Sequence, residues 1–178
     1  QGEVTAYGQE TLEMEVTCAY DPNDKMVFPV GYEEPHFVEP EAELEYLVRF
    51  QNTGNDTATV VIVRDTLSPY LDYSSFQLMA NSHDVMTTID NETGAIEFLF
   101  DNILLPDSNV NEPESHGLIS YLVKPLEGLP YGTLIENTAH IFFDTNPAIV
   151  TNTTWNTIYI CDETMVEISG DTEVCAGD

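Results

Sequence analysis

Glu43-Leu-Glu-Tyr-Leu-Val-Arg-Phe-Gln51-Asn-Thr-Gly-Asn-Asp56-Thr-Ala-Thr-Val-Val-Ile-Val63 is the stretch on which the fold turns. Leu44, Tyr46, Val48 and Phe50 fall on one side of an extended chain, and Glu45, Arg49 and Gln51 on the other. That period of two is what a half-buried strand requires. Asn52–Asp56 is a cluster of turn formers, with Gly54 able to take positive φ. Thr57–Val63 is β-branched except at Ala58, so it reads as a second strand. Two strands around such a turn read as a hairpin.

The same pattern of short strands and turn signals extends outward. Ser68-Pro69 opens a turn, and Phe76–Ala80 and Val85–Ile89 read as short strands. Asn91–Gly94 turns into the strand Ala95–Phe100, and Leu105–Pro113 is a polar loop. Leu118–Val123 is a strand stopped by Pro125, and Leu129–Gly132 turns into a strand over Thr133–Phe143. Asp144–Pro147 breaks it, and Ile149–Ile160 supplies one or two more strands. Upstream, residues 1–17 alternate weakly through Leu12, Met14 and Val16. Residues 18–41 are read as irregular, broken by Pro22, Pro29, Gly31, Pro35 and Pro40. No amphipathic helix of about ten residues or more is visible. The chain is therefore read as all-β, an antiparallel β-sandwich of about seven to nine strands over residues 18–160. Its inward set is expected to include Tyr46, Val48, Phe50, Val60, Ile62, Phe98, Ile119, Tyr121, Ile141 and Phe143. Residues 1–17 are expected to be the end of a preceding module or an N-terminal strand. Residues 161–178 are expected to be a linker and the start of a following one.

Charge narrows the function. The 178 residues hold 32 Asp+Glu against 4 Lys+Arg, a formal net charge of -28. Such a surface repels phosphate, which argues against nucleic acid and anionic membranes as partners. It also opposes face-to-face self-association, so a monomer or an end-to-end assembly is expected. No apolar run approaches the roughly 18 residues of a membrane span. No charged and apolar leader opens the chain, so a signal peptide is expected to have been removed or to lie outside an internal piece. Acidity with almost no Lys suits a salty exterior, where screening lowers self-repulsion. The three cysteines, Cys18, Cys161 and Cys175, form no C-x-x-C pair, and acidic neighbours disfavour a reactive thiolate.

Catalytic signatures are missing. His36, His83, His116 and His140 show no metal-binding spacing, and there is no G-x-S-x-G elbow, P-loop or dinucleotide glycine motif. Carboxylates are too abundant for any pair of them to stand out as a glycosidase dyad. The chain is therefore read as non-enzymatic.

The best cofactor candidate is calcium. In Asp107-Ser-Asn109-Val-Asn111-Glu112-Pro-Glu114, oxygen donors alternate as in the opening of calcium loops. Glu112 occupies the place of the usual Gly, which excludes an EF-hand, so Glu112 or Glu114 is expected to close the shell. Asp21, Asn23 and Asp24 form a second oxygen-rich turn, and Asp144 with Asn146 a third. The competing reading is that all three are Asx-turns bonding their own backbone.

Cys18-Ala-Tyr-Asp-Pro-Asn-Asp-Lys25, Leu47-Val-Arg-Phe-Gln-Asn-Thr-Gly54 and Val63-Arg-Asp-Thr-Leu67 carry a resemblance. Asn102–Pro113, Ser115-His-Gly117, Asn137–Pro147 and Val150-Thr-Asn-Thr153 continue it in order. Over about residues 18–160 the chain resembles a conserved domain of unknown function in large secreted and surface proteins of Bacteroidota. The resemblance implies an immunoglobulin-like fold, export by the type IX secretion system and an extracellular or cell-surface location. The expected function is a structural, spacer or adhesin module. Its expected partners are neighbouring modules of the same chain, with a cell-surface or extracellular polymer as a further candidate. The rival is a carbohydrate-binding or other ligand-binding module attached to a secreted enzyme. A flat row of exposed aromatics, drawn from Trp155, Tyr159, Phe142 and Phe143, would favour that rival.

Overall fold

A computed structural model describes residues 22–159. The strand expected in 1–17, the module expected in 161–178, the three cysteines and Asp21 lie outside these described residues.

Three sheets share one hydrophobic core. The first has the order β1-β3-β8-β5, made by Asp24–Phe28, Leu44–Gln51, His116–Pro125 and Leu71–Asn81. The second has the order β11-β10-β4-β7-β6, made by Ile149–Val150, Ala139–Phe143, Val61–Thr66, Ala95–Phe100 and Met86–Ile89. A small third sheet orders β2 (Phe37–Val38), β12 (Thr154–Ile158) and β9 (Leu134–Asn137). The β2–β12 pair is parallel, and every other pairing is antiparallel. The first two sheets face each other through aromatic rings. Phe50 packs edge-on against Phe100 and Phe143, and Phe98 stacks on Tyr121. Among the described residues no single helix exceeds four residues, and no helix is long and apolar enough to cross a membrane. The antiparallel sandwich expected from strand spacing, with the immunoglobulin-like fold that the resemblance implies, is the architecture found, but with twelve strands among the described residues in place of seven to nine.

β3 and β8 explain themselves. Both alternate buried and half-buried positions, and Tyr46, Val48 and Phe50 face Tyr121, Ile119 and Gly117 across the ladder. Phe50 reaches the core only because position 117 has no side chain; a Cβ there would come within 2.1 Å of the ring.

Four local expectations are corrected. Residues 44–51 and 57–63 are not a hairpin: β3 lies in the first sheet and β4 in the second. The turn cluster at 52–56 redirects the chain across the core, where Ala58 forms an isolated bridge to Leu105. The phase of β4 is also shifted by one residue. Val61, Val63 and Asp65 point inward, while Val60 and Ile62 are half-buried. The run Val60–Val63 is apolar on both sides, so its alternation carries no phase. The phase is set by Arg64, which points outward to Glu97, and by Asp65, which points into the core.

Residues 24–28, read as irregular, form β1. The prolines at 22 and 29 bound this strand and leave its interior free to pair. Finally, the run 133–143 is two strands. β9 ends at Asn137 in the third sheet and β10 begins at Ala139 in the second. Ile135, Asn137, Ala139 and Ile141 stay buried across the break, so periodicity gives no sign of the change of partner.

Candidate functional site

The chemistry of this protein is concentrated inside the sandwich. Inward-pointing positions of β1, β3, β4, β8 and β9 bring Lys25, Tyr46, Asp65, Tyr121 and Asn137 together in the core. Each polar member follows the alternation of an otherwise apolar strand. Lys25 precedes Val27, Asp65 follows Val61 and Val63, and Asn137 sits between Ile135 and Ala139. The side chains of Lys25 and Asp65 are both fully buried and form an ion pair.

The Tyr121 hydroxyl is the hub. It donates to Asp65 Oδ2 at 2.5 Å and accepts from Lys25 Nζ at 2.9 Å and from Asn137 Nδ2 at 3.1 Å. Nζ also lies 4.8 Å from the Tyr46 ring centre and 5.3 Å from that of Tyr121, so the two rings clasp the cation. Burial pushes the pKa of Lys25 below its ordinary value, against the opposing pull of Asp65. Burial, followed by the Asp65 charge, pushes the hydroxyls of Tyr121 and Tyr46 upward. Asn137 exerts a smaller downward pull on Tyr46, although no hydrogen bond of normal geometry joins them. Three buried atoms of the cluster lack a hydrogen-bond partner: Asp65 Oδ1, Asn137 Oδ1 and Tyr46 Oη.

No sequence motif announces this cluster. One signal did exist. The chain has only four Lys and Arg residues, and all four form ion pairs: Lys25–Asp65, Arg49–Asp24, Arg64–Glu97 and Lys124–Glu43. In a protein this poor in cations, a Lys that opens the apolar run Met26-Val27-Phe28 stands out as a group with a dedicated partner.

The first oxygen-rich turn bonds its own backbone, and the other two bond distant segments. Asp107 caps a helical turn at Ser108–Asn111, and its Oδ1 accepts from the backbone N–H of Asn109 and Val110 at 3.0 and 3.3 Å. Asn109, Asn111, Glu112 and Glu114 are exposed, and Glu112 meets His116 at 2.9 Å. Asn23 Oδ1 accepts from the Gln51 backbone at 3.2 Å, while Gln51 Nε2 donates to Ser115 Oγ at 2.9 Å. Gln51 therefore links Asn23 of the second turn to Ser115, which follows the first turn. Asp24 is paired with Arg49. Asp144 Oδ1 accepts from the N–H of Thr59 and Val60, both at 2.9 Å, tying the third turn to the start of β4. Asn146 is exposed beside it. Among the described residues, no three His, Cys, Asp or Glu side chains converge as a metal site.

The aromatics divide. Phe143 is buried, and Phe142 carries Arg64 over its ring at 5.0 Å. Trp155 is partly exposed and leans on His36 at 4.7 Å. Tyr131, Tyr159 and Phe37 form a partly exposed ring cluster.

Residues 21–157 match the model of a family described as a domain of unknown function, DUF7619. No curated protein matches. Among solved structures, the N-terminal domain of the Streptococcus gordonii adhesin Sgo0707 is similar with a TM-score of 0.55 and 13 % identity, over 78 % of this chain and 33 % of that one. BcpA, the major pilin subunit of Bacillus cereus, gives 0.52 at 15 % identity, over 76 % and 39 %. The C-terminal domain of the Streptococcus agalactiae AgI/II polypeptide BspA gives 0.51 at 16 % identity, over 75 % and 49 %. At these identities the likeness is one of fold, and this chain spans less than half of each of those chains.

Proposed function

This chain belongs to the DUF7619 family of domains of unknown function, and from that premise we propose that it is a non-catalytic structural, spacer or adhesin module of a large extracellular bacterial surface protein. The observation that carries the reading is a sandwich whose polar core groups are spent on one another, in a fold shared with adhesin and pilin domains. A hollow lined by Pro29, Val30, Tyr32, Phe37 and Glu39 presents a lone carboxylate and no nucleophile–base pair. Export by the type IX route in a Bacteroidota host follows from the motif resemblance and belongs to the proposal.

The test is made in the full-length protein. Residues 22–159 are exchanged for an unrelated sandwich of similar size, and cell-surface display and adhesion are measured. A spacer tolerates the exchange, whereas an adhesive module loses adhesion while display persists. Loss of neither display nor adhesion on outright deletion would overturn both roles. Retention of the full-length protein inside cells lacking the type IX system tests the export route.

The second reading, a carbohydrate- or other ligand-binding module attached to a secreted enzyme, draws on the Phe37–Tyr131–Tyr159 cluster. Two of its ring pairs are inclined at 54° and 66°, whereas a sugar-binding strip needs coplanar rings. Glycan binding abolished by Tyr131→Ala would favour this reading over the spacer.

A further inference from the structure

We propose that Lys25 and Asn137 become joined by an intramolecular isopeptide bond, with Asp65 as the acid–base group. The parts are an amine, a carboxylate and a carboxamide, all buried and all held by one hydroxyl, that of Tyr121. Bulk water, which would compete for each group, is excluded.

The chemistry balances without an outside reagent. Asp65 takes a proton from the Lys25 ammonium, leaving a neutral amine, the form that burial already favours. The Nζ lone pair attacks Asn137 Cγ and forms the N–C bond, while Asp65 passes its proton to the amide as the tetrahedral centre forms. The Cγ–Nδ2 bond then breaks, and Nδ2 departs as ammonia. The second proton lost by Nζ ends on Asp65. An ion pair and a primary amide go in; a secondary amide, ammonia and a neutral carboxyl come out.

Three observations select this outcome over a permanent ion pair. First, an amide replaces an amide, so bond energies nearly cancel, while a costly buried charge pair is discharged. Second, Asp65 Oδ1 and Asn137 Oδ1 both lack a partner. A protonated Asp65 donating to the new amide oxygen supplies one to each side. Third, Asp65 is the carboxylate in contact with Nζ. Were Asp65 itself the acceptor, no second carboxyl within the cluster would serve as base, whereas with Asn137 as acceptor Asp65 keeps that role.

The link would fasten β1, at the edge of the first sheet, to β9 in the third. Chain tension entering through β1 would then bypass the edge-strand hydrogen bonds. This inference does not depend on whether the module acts as spacer or adhesin.

The experiment is mass spectrometry of the purified, folded chain. The expected intact mass is lower than that of the sequence by one ammonia. Because an N-terminal Gln can also release ammonia by cyclising, the deciding readout is a proteolytic digest. It should contain a branched peptide joining Lys25 to Asn137. Asp65→Asn, which keeps the size and removes the base, should give linear peptides, as should Lys25→Arg. Linear wild-type peptides carrying unmodified Lys25 and Asn137 would overturn the proposal, and this readout needs no variant to fold. A branch between Lys25 and Asp65, with loss of one water, would overturn Asn137 as the acceptor.

Discussion

Phe50 on β3 lies directly opposite Gly117 on β8, and the Phe50 ring occupies the volume that a side chain at 117 would take. The ring goes on to touch Phe100 and Phe143 of the facing sheet, so this glycine permits the contact between layers. Gly117→Ala is expected to cost about 1–3 kcal/mol through overpacking. Urea unfolding measures it. Adding Phe50→Leu should return part of the loss, because the smaller side chain vacates the space. Equal additive losses would show that the two residues do not compete for it.

In chains that cannot form the Lys25–Asn137 link, such as Asn137→Ala, the buried ion pair should be asymmetric under mutation. Lys25→Met alone leaves the Asp65 charge without its cation and is expected to destabilise by about 3–5 kcal/mol. Lys25→Met with Asp65→Leu removes both charges and should recover most of that. A double variant as unstable as the single one would mean that packing around Lys25, and not charge, dominates.

Tyr46 and Tyr121 should titrate late. Their pKa values are raised in the folded chain by burial and by Asp65. A group raised on folding contributes stability that is present below its unfolded pKa, near 10.0, and is lost as pH climbs through the folded value. Alkaline absorbance titration should therefore show a tyrosine fraction ionising only as the fold melts above about pH 10. Full ionisation of all tyrosines with the circular dichroism spectrum intact would contradict it.

Asp107 should act as a cap. Losing its two bonds to the Asn109 and Val110 N–H groups makes Asp107→Ala cost about 0.5–2 kcal/mol. The melting temperature is expected to be the same in EGTA and in calcium at screening ionic strength. A rise with calcium that disappears in Asn109→Ala with Glu112→Ala would instead place the ion at residues 107–114.

The sandwich was legible because alternation over 44–50, 95–100 and 118–123 needs only local chemistry, and both β3 and β7 fall where their patterns place them. Asp107 caps its own turn, as the Asx reading of that loop expects, whereas Asn23 and Asp144 accept from backbone far along the chain. Three things were settled by tertiary pairing alone. The first is the sheet to which a strand belongs, because β3 and β4 read as neighbours yet hydrogen-bond in different layers. The second is the phase of β4, because four successive apolar residues have no preferred side until Asp65 finds Lys25. The third is the meeting of Lys25, Asp65 and Asn137. Each is a single polar residue on a separate strand, and a period of two records only that a side chain points inward. What it meets there depends on which strands the two layers bring face to face.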